Sequence, residues 1–171
     1  MSTLAVALAL GEAGLWLLGI EYPRFYEADP HIGDRLRAGV KGYWLIEGGG
    51  YASINSDGLR DREHSIEKAP NIVRIAILGD SYAEALQINQ EEAFWAVMER
   101  NLQECVNLGK QRFEVINFGQ SSVGTTQELL ILRYRVWKYS PDVVLLAFVT
   151  GNDIADNSPA LMLWPHFPYY R

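Results

Sequence analysis

The chain has a single cysteine, Cys105, so no intramolecular disulfide can staple it. Stability has to come from a core, and 171 residues, 49% hydrophobic and 21% charged, can bury one in an ordinary globular domain. Cys105 closes an amphipathic helical pattern, which predicts a buried thiol. Cysteine usage leaves the compartment open, because many extracytoplasmic proteins also lack disulfides. No cluster of Lys and Arg is present, and 15 basic against 21 acidic residues give a net charge of −6. That balance removes the electrostatic basis for nucleic-acid binding and leaves a small-molecule or polymer substrate as the expected partner. Histidine is scarce, with His31, His64 and His166 alone, and no zinc-type Cys/His spacing, internal repeat or low-complexity tract occurs. No metal and no cofactor are expected.

Long apolar runs are also few. Residues 3–20 are mostly apolar, but a run of about 18 residues barely matches a hydrocarbon core, and Glu12 sits in its middle. A central carboxylate costs roughly 2.5–3.5 kcal/mol on insertion, and the charged first region of a signal peptide is missing. Two readings of residues 1–20 stand side by side. One is the remnant of a membrane anchor, which places the protein at a membrane and outside the cytoplasm. The other is an apolar helix that packs on the domain or lies at an interface, which suits a cytoplasmic protein. The sequence does not set the oligomeric state.

Residues 21–69 form an approach segment in which Pro23, Pro30, Gly33, Gly39, Gly42 and Gly48-Gly49-Gly50 exclude long helices. Short strands are expected around residues 43–46 and 51–54, the second running into the turn signal Asn55-Ser56-Asp57-Gly58. The mixed charges of Arg60, Asp61, Arg62, Glu63, Glu67 and Lys68 read as a solvated loop.

From Pro70 the pattern becomes strand, turn, helix, repeated. Residues 72–78 are almost continuously apolar apart from Arg74, as in a parallel strand covered on both faces. Residues 91–105 place Phe94, Val97, Met98, Leu102 and Cys105 at helical spacing, with Glu91 and Glu92 in the first turn. A second strand at 113–118 precedes a helix from about 126 to 139, which Ser140-Pro141-Asp142 ends. The third strand, 143–149, is the most buried-looking of the three. Such alternation implies right-handed βαβ units and an α/β fold with a parallel sheet. The three strands should lie side by side.

Each strand ends in small polar residues: Gly79-Asp80-Ser81, then Asn117-Phe118-Gly119, then Gly151-Asn152-Asp153. Open parallel sheets place ligands at this edge. An isolated Gly-Asp-Ser commonly just caps a helix. Three such strand ends on one edge suit ester chemistry, which needs a nucleophile and donors for the oxyanion. Ser81 can be the nucleophile. The backbone N–H groups of Ser81 and Gly119 and the side-chain amide of Asn152 can be the oxyanion donors. The turn after Leu78 lacks the Gly-rich loop of a nucleotide-binding flavodoxin-like protein.

These blocks, in this order and spacing, resemble those of the SGNH hydrolases, also called GDSL-type esterases and lipases. The resemblance covers residues 72 to about 157, with Gly124-Thr125 extending the second block. Residues 54–61 look like the stretch preceding the domain in bacterial members with an N-terminal membrane segment. The resemblance implies a three-layer, flavodoxin-like parallel sheet with helices on both faces. It also implies a serine ester hydrolase or acyl-transfer enzyme with Ser81 as nucleophile and Gly119 and Asn152 as oxyanion donors. The family's Asp-x-x-His block, which supplies the base, has no counterpart here. His31 and His64 precede the serine, and His166 has no Asp three positions before it. Residues 70–171 therefore read as the N-terminal part of such a domain, inactive or weakly active alone, and the alternative is a catalytically inert fragment or binding module. The aromatic tail Leu163-Trp164-Pro165-His166-Phe167-Pro168-Tyr169-Tyr170 could line an acyl pocket, but the favoured reading is an exposed insertion whose partner surface is missing.

Overall fold

The computed structural model describes residues 2–18, 22–105, 112–161 and 167–169. The apolar run after Pro70 forms the central strand, β5 (Ile72–Gly79). It follows four short strands, β1 (Tyr26–Asp29), β2 (Gly33–Leu36), β3 (Lys41–Tyr43) and β4 (Tyr51–Ser53). After it come α2 (Ser81–Glu84), α3 (Phe94–Glu104), β6 (Arg112–Asn117), α4 (Thr125–Ile131) and β7 (Val143–Ala147); α1 (Thr3–Leu17) lies at the start. The sheet order is β6-β5-β7 with every pair parallel. Ile72 pairs with Arg112 and Ile75 with Val143, so the expected adjacency of the three strands is observed.

Successive strand residues face opposite sides of a sheet, and β5 fills two separate cores accordingly. Ala76 and Leu78 join Ile116, Phe118, Leu130, Ile131, Val136 and Tyr139 on the α4 side. Ile77 joins Val115, Ala83, Ala93 and Trp95 on the α3 side. Full burial of a side chain such as Ile77 stabilises by roughly 1.5–3 kcal/mol. The protein is thus mixed α/β around a small three-stranded parallel sheet.

Several expectations need correction. Of the stripe Phe94, Val97, Met98, Leu102 and Cys105, Met98 packs on the core, but the stripe as a whole lines an outward groove of 460 Å³. Trp95 is the anchor instead, 2% exposed, with its indole N–H donating to the Ala83 carbonyl at 2.9 Å. Cys105 is exposed because α3 ends at Glu104 and the chain leaves in an extended conformation. The helix expected from 126 to 139 is α-helical only to Ile131, then continues as a π turn (Leu132–Val136) and a 3₁₀ turn (Trp137–Tyr139). Ser140, with φ 51°, closes it before Pro141.

The approach segment is built, not irregular. β1 pairs with β2 and β3 with β4, both antiparallel. The Asn55 turn forms as expected: Asn55 Oδ1 accepts the N–H groups of Asp57 and Leu59, and Gly58 takes φ 72°. The charged cluster after it is a solvated loop only in part: Arg62, Glu63 and Glu67 are exposed, but Arg60 and Asp61 are buried. Arg60 is wholly buried and donates to the carbonyls of Glu84 (3.2 Å) and Ile88 (2.5 Å). Asp61 accepts the backbone N–H of Asn117 at 2.9 Å. These charges satisfy backbone groups at element ends, which burial would otherwise leave unpaired.

No residue of α1 is buried, so packing of this helix on the domain is not seen among the described residues. Among those residues, no helix is long and apolar enough to cross a membrane. The tail is not wholly exposed either. Phe167 is 4% exposed in the α4-side core, held so close to Gly33 that a Cβ there would stand 2.5 Å from its ring. Residues 162–166 and 170, including Trp164 and His166, lie outside the described residues.

Candidate active site

Gly79 ends β5 where a side chain has no room: a Cβ would stand 2.8 Å from Ala83 Cβ and 3.1 Å from Ala147 Cβ. Asp80 then caps α2, its Oδ1 accepting the Tyr82 N–H at 3.0 Å. The capping role open to this motif is therefore occupied, and the cap turns Ser81 away from the strand. Ser81 is half-buried and lines a cavity of 710 Å³ together with Tyr26, Asp34, Trp44, Ser121 and Phe167, among others. Its hydroxyl makes no hydrogen bond among the described residues.

Gly119 follows β6 and lies against α2. A Cβ on Gly119 would stand 2.6 Å from the Ala83 carbonyl carbon and the Glu84 nitrogen, so this contact requires glycine. Its N–H donates to Asn117 Oδ1 at 2.9 Å. Asn152 follows β7, and its amide donates to Asp80 Oδ2 (2.9 Å) and Asp156 Oδ2 (3.0 Å). All three residues sit beyond the carboxyl ends of adjacent strands, as their sequence positions predict. Both non-serine donors are engaged by acceptors of the protein itself.

No protein-family model matches this chain, and no curated protein matches it. The site is therefore interpreted from its own geometry.

None of the described histidines serves Ser81. His31 stacks on Tyr134, ring centroids 4.3 Å apart. The His64 side chain is buried with Nδ1 2.8 Å from Glu114 Oε1. Its Nε2 lies 3.1 Å from Asp61 Oδ2, a charge contact without hydrogen-bond alignment. Glu114 in turn pairs with Arg74, in the amino-terminal half of β5 and away from the serine end. His166 lies outside the described residues. Among the described residues, no group of three or more His, Cys, Asp or Glu could hold a metal ion.

The sequence reading missed two buried carboxylates. Glu84, one turn after Ser81, is wholly buried; its Oε2 accepts the Tyr26 hydroxyl at 2.6 Å and the Ser121 hydroxyl, while Oε1 has no partner. Burial pushes its pKa up to about 7 against the hydrogen bonds of Ser121 and Tyr26 and the charge of Arg60. Burial and the same carboxylate raise the Tyr26 hydroxyl. Glu128, in the first turn of α4, is 1% exposed with neither oxygen hydrogen-bonded. Burial, then Asp153 and Asp80, push its pKa up to about 8. The only sequence signal for Glu84 was its helical spacing from Ser81, which says nothing of Tyr26 or Ser121 far away in the chain.

Proposed function

We propose that this chain carries the nucleophile and oxyanion half of an SGNH-type serine ester hydrolase or acyl-transfer site, on the three-layer, flavodoxin-like plan. Ser81 attacks the acyl carbon, and the backbone N–H groups of Ser81 and Gly119 and the Asn152 amide receive the oxyanion. One observation carries this reading: three adjacent parallel strands end in Gly79-Asp80-Ser81, Gly119 and Asn152, with Ser81 facing a 710 Å³ cavity. The charged residues among those lining that cavity are Asp34 and Glu47, both acidic, which favours an uncharged ester over an anionic one.

A second reading, an inert binding module, draws on the hydrogen bonds: Gly119 and Asn152 already donate within the protein, and among the described residues no base touches the Ser81 hydroxyl. Hydrolysis of p-nitrophenyl acetate separates the two. The enzyme reading expects slow turnover, since general-base assistance typically contributes about 10²–10⁴-fold, and expects Ser81→Ala to lower it at least several-fold. A rate that Ser81→Ala leaves unchanged in folded protein, with no acetyl-serine formed, favours the module.

A further inference from the structure

Ser81 shares its cavity with a second serine hydroxyl that is better prepared for chemistry. Ser121 lies in the loop after β6 and lines the same 710 Å³ cavity. Its hydroxyl donates to Glu84 Oε2, whereas Ser81 has no such acceptor among the described residues. Ser122, also at the cavity, holds φ 63°. Left-handed backbone at a non-glycine residue is strained and persists where its surroundings enforce it. We propose that Ser121 is a second acyl-accepting nucleophile of this cavity, with Glu84 as its general base.

A serine hydroxyl is a weak nucleophile until an adjacent base takes its proton. Glu84 meets the geometric requirement, since its carboxylate oxygen accepts the Ser121 hydroxyl directly. Attack by Ser121 Oγ on the ester carbonyl carbon forms an Oγ–C bond and a tetrahedral intermediate, while the Oγ proton passes to Glu84 Oε2. Collapse of the tetrahedral intermediate breaks the ester C–O bond, and the departing alkoxide takes that proton from Glu84. In the second half, water attacks the acyl-serine and gives its proton to Glu84, which returns it to Ser121 Oγ. Water is the co-reactant of the second half, and the step needs no oxidant or metal.

The groups facing Glu84 are the Tyr26 hydroxyl from β1, the Arg60 guanidinium from the approach segment, and Ser121 itself. Burial in this company raises the carboxyl to about 7, so the base form grows in through neutral pH, where a general base works best.

The inference rests on the cavity being an acyl-ester site, and the test separates the two claims. The protein is mixed with p-nitrophenyl acetate, quenched in acid, and the acetylated serine located by peptide mass spectrometry. The expected result is acetyl-Ser121, retained in Ser81→Ala and formed at least ~100-fold more slowly in Glu84→Gln. Its rate should rise between about pH 6 and 8, and Tyr26→Phe, which removes one hydrogen bond from the carboxylate, should shift that rise to higher pH. Mapping the unmodified protein needs no variant, so a Glu84→Gln chain that fails to fold does not block the test. Acetyl on Ser81 alone overturns this inference and leaves the proposed function standing. No acetyl-serine on folded protein overturns both.

Discussion

Asn152 donates its side-chain amide to Asp80 at 2.9 Å, tying the segment after β7 to the residue that precedes Ser81. The same amide reaches Asp156 at 3.0 Å, so one neutral donor separates two carboxylates. Asp80 meanwhile uses its other oxygen to cap α2. The orientation of Ser81 thus depends on a residue in a different strand connection.

Asn152→Ala should cost about 1–3 kcal/mol, the usual worth of hydrogen bonds to charged groups. Asn152→Asp should cost more at pH 7, because it loses the donor and adds a third carboxylate between Asp80 and Asp156. Urea unfolding of the three proteins checks the order. Equal losses in the two variants would show that the amide does not mediate between the carboxylates.

Gly119→Ala should destabilise by about 1–3 kcal/mol, the typical cost of overpacking. Its Cβ meets backbone atoms of Ala83 and Glu84 at 2.6 Å, which a rotamer change cannot relieve. Since those atoms belong to α2, which carries Ser81, the proposed ester hydrolysis should fall along with stability. A crystal structure of the variant with α2 unmoved would contradict this account.

The strands of the parallel sheet were legible because their apolar residues are nearly uninterrupted; β5 is the central strand that such a run implies, whereas β7 is an edge strand with Val143, Leu145 and Leu146 exposed, so its apolar run was misread as burial on both faces. The strand ends were legible from their small polar residues, which is why Ser81, Gly119 and Asn152 were each placed beyond the carboxyl end of a strand. The inner face of α3 was not, because one buried indole, Trp95, outweighs a longer apolar stripe in fixing the helix. The burial of Arg60 and Asp61 was equally hidden, since their acceptors and donors at Glu84, Ile88 and Asn117 are remote in sequence. The hairpin of β1 and β2 carries too many charges to show an apolar alternation. Nor could spacing reveal that the Gly119 and Asn152 donors are already engaged.

Arg74, the one charge in β5, should prove essential to the fold. It is 1% exposed and donates to Glu114 Oε2 at 2.7 Å, to the carbonyls of Ser65 (2.9 Å) and Ile66 (3.1 Å), and to that of Tyr139. It therefore joins the approach segment, β6 and the end of the α4 helix. Arg74→Met should cost about 3–5 kcal/mol, because it leaves Glu114 Oε2 and three carbonyls without their donor. Arg74→Lys should recover only part, since a point charge cannot span acceptors that a planar guanidinium spans. Denaturant midpoints at constant slope provide the measurement, and a fully stable lysine variant would refute the geometric argument.

Glu128 should make stability fall as pH rises. Burial and the facing carboxylates Asp153 and Asp80 hold its folded pKa at about 8, against 4.5 as the ordinary value for the unfolded chain. Below about pH 4.5 both states carry the proton, and Glu128 has no pH-dependent effect. Between the two values the folded state retains a proton that the unfolded state has lost, so the stability it confers declines steadily and is gone above about pH 8. Neither carboxyl oxygen is hydrogen-bonded, so Glu128→Gln removes the ionisation without breaking a side-chain contact. The variant should match the parent near pH 5 and exceed it at pH 9 by on the order of 1–3 kcal/mol. Urea unfolding at pH 5, 7 and 9 reads the difference directly. A gap that does not widen with pH, or a variant less stable than the parent at pH 9, would mean that the folded protein hydrates or pairs this carboxylate.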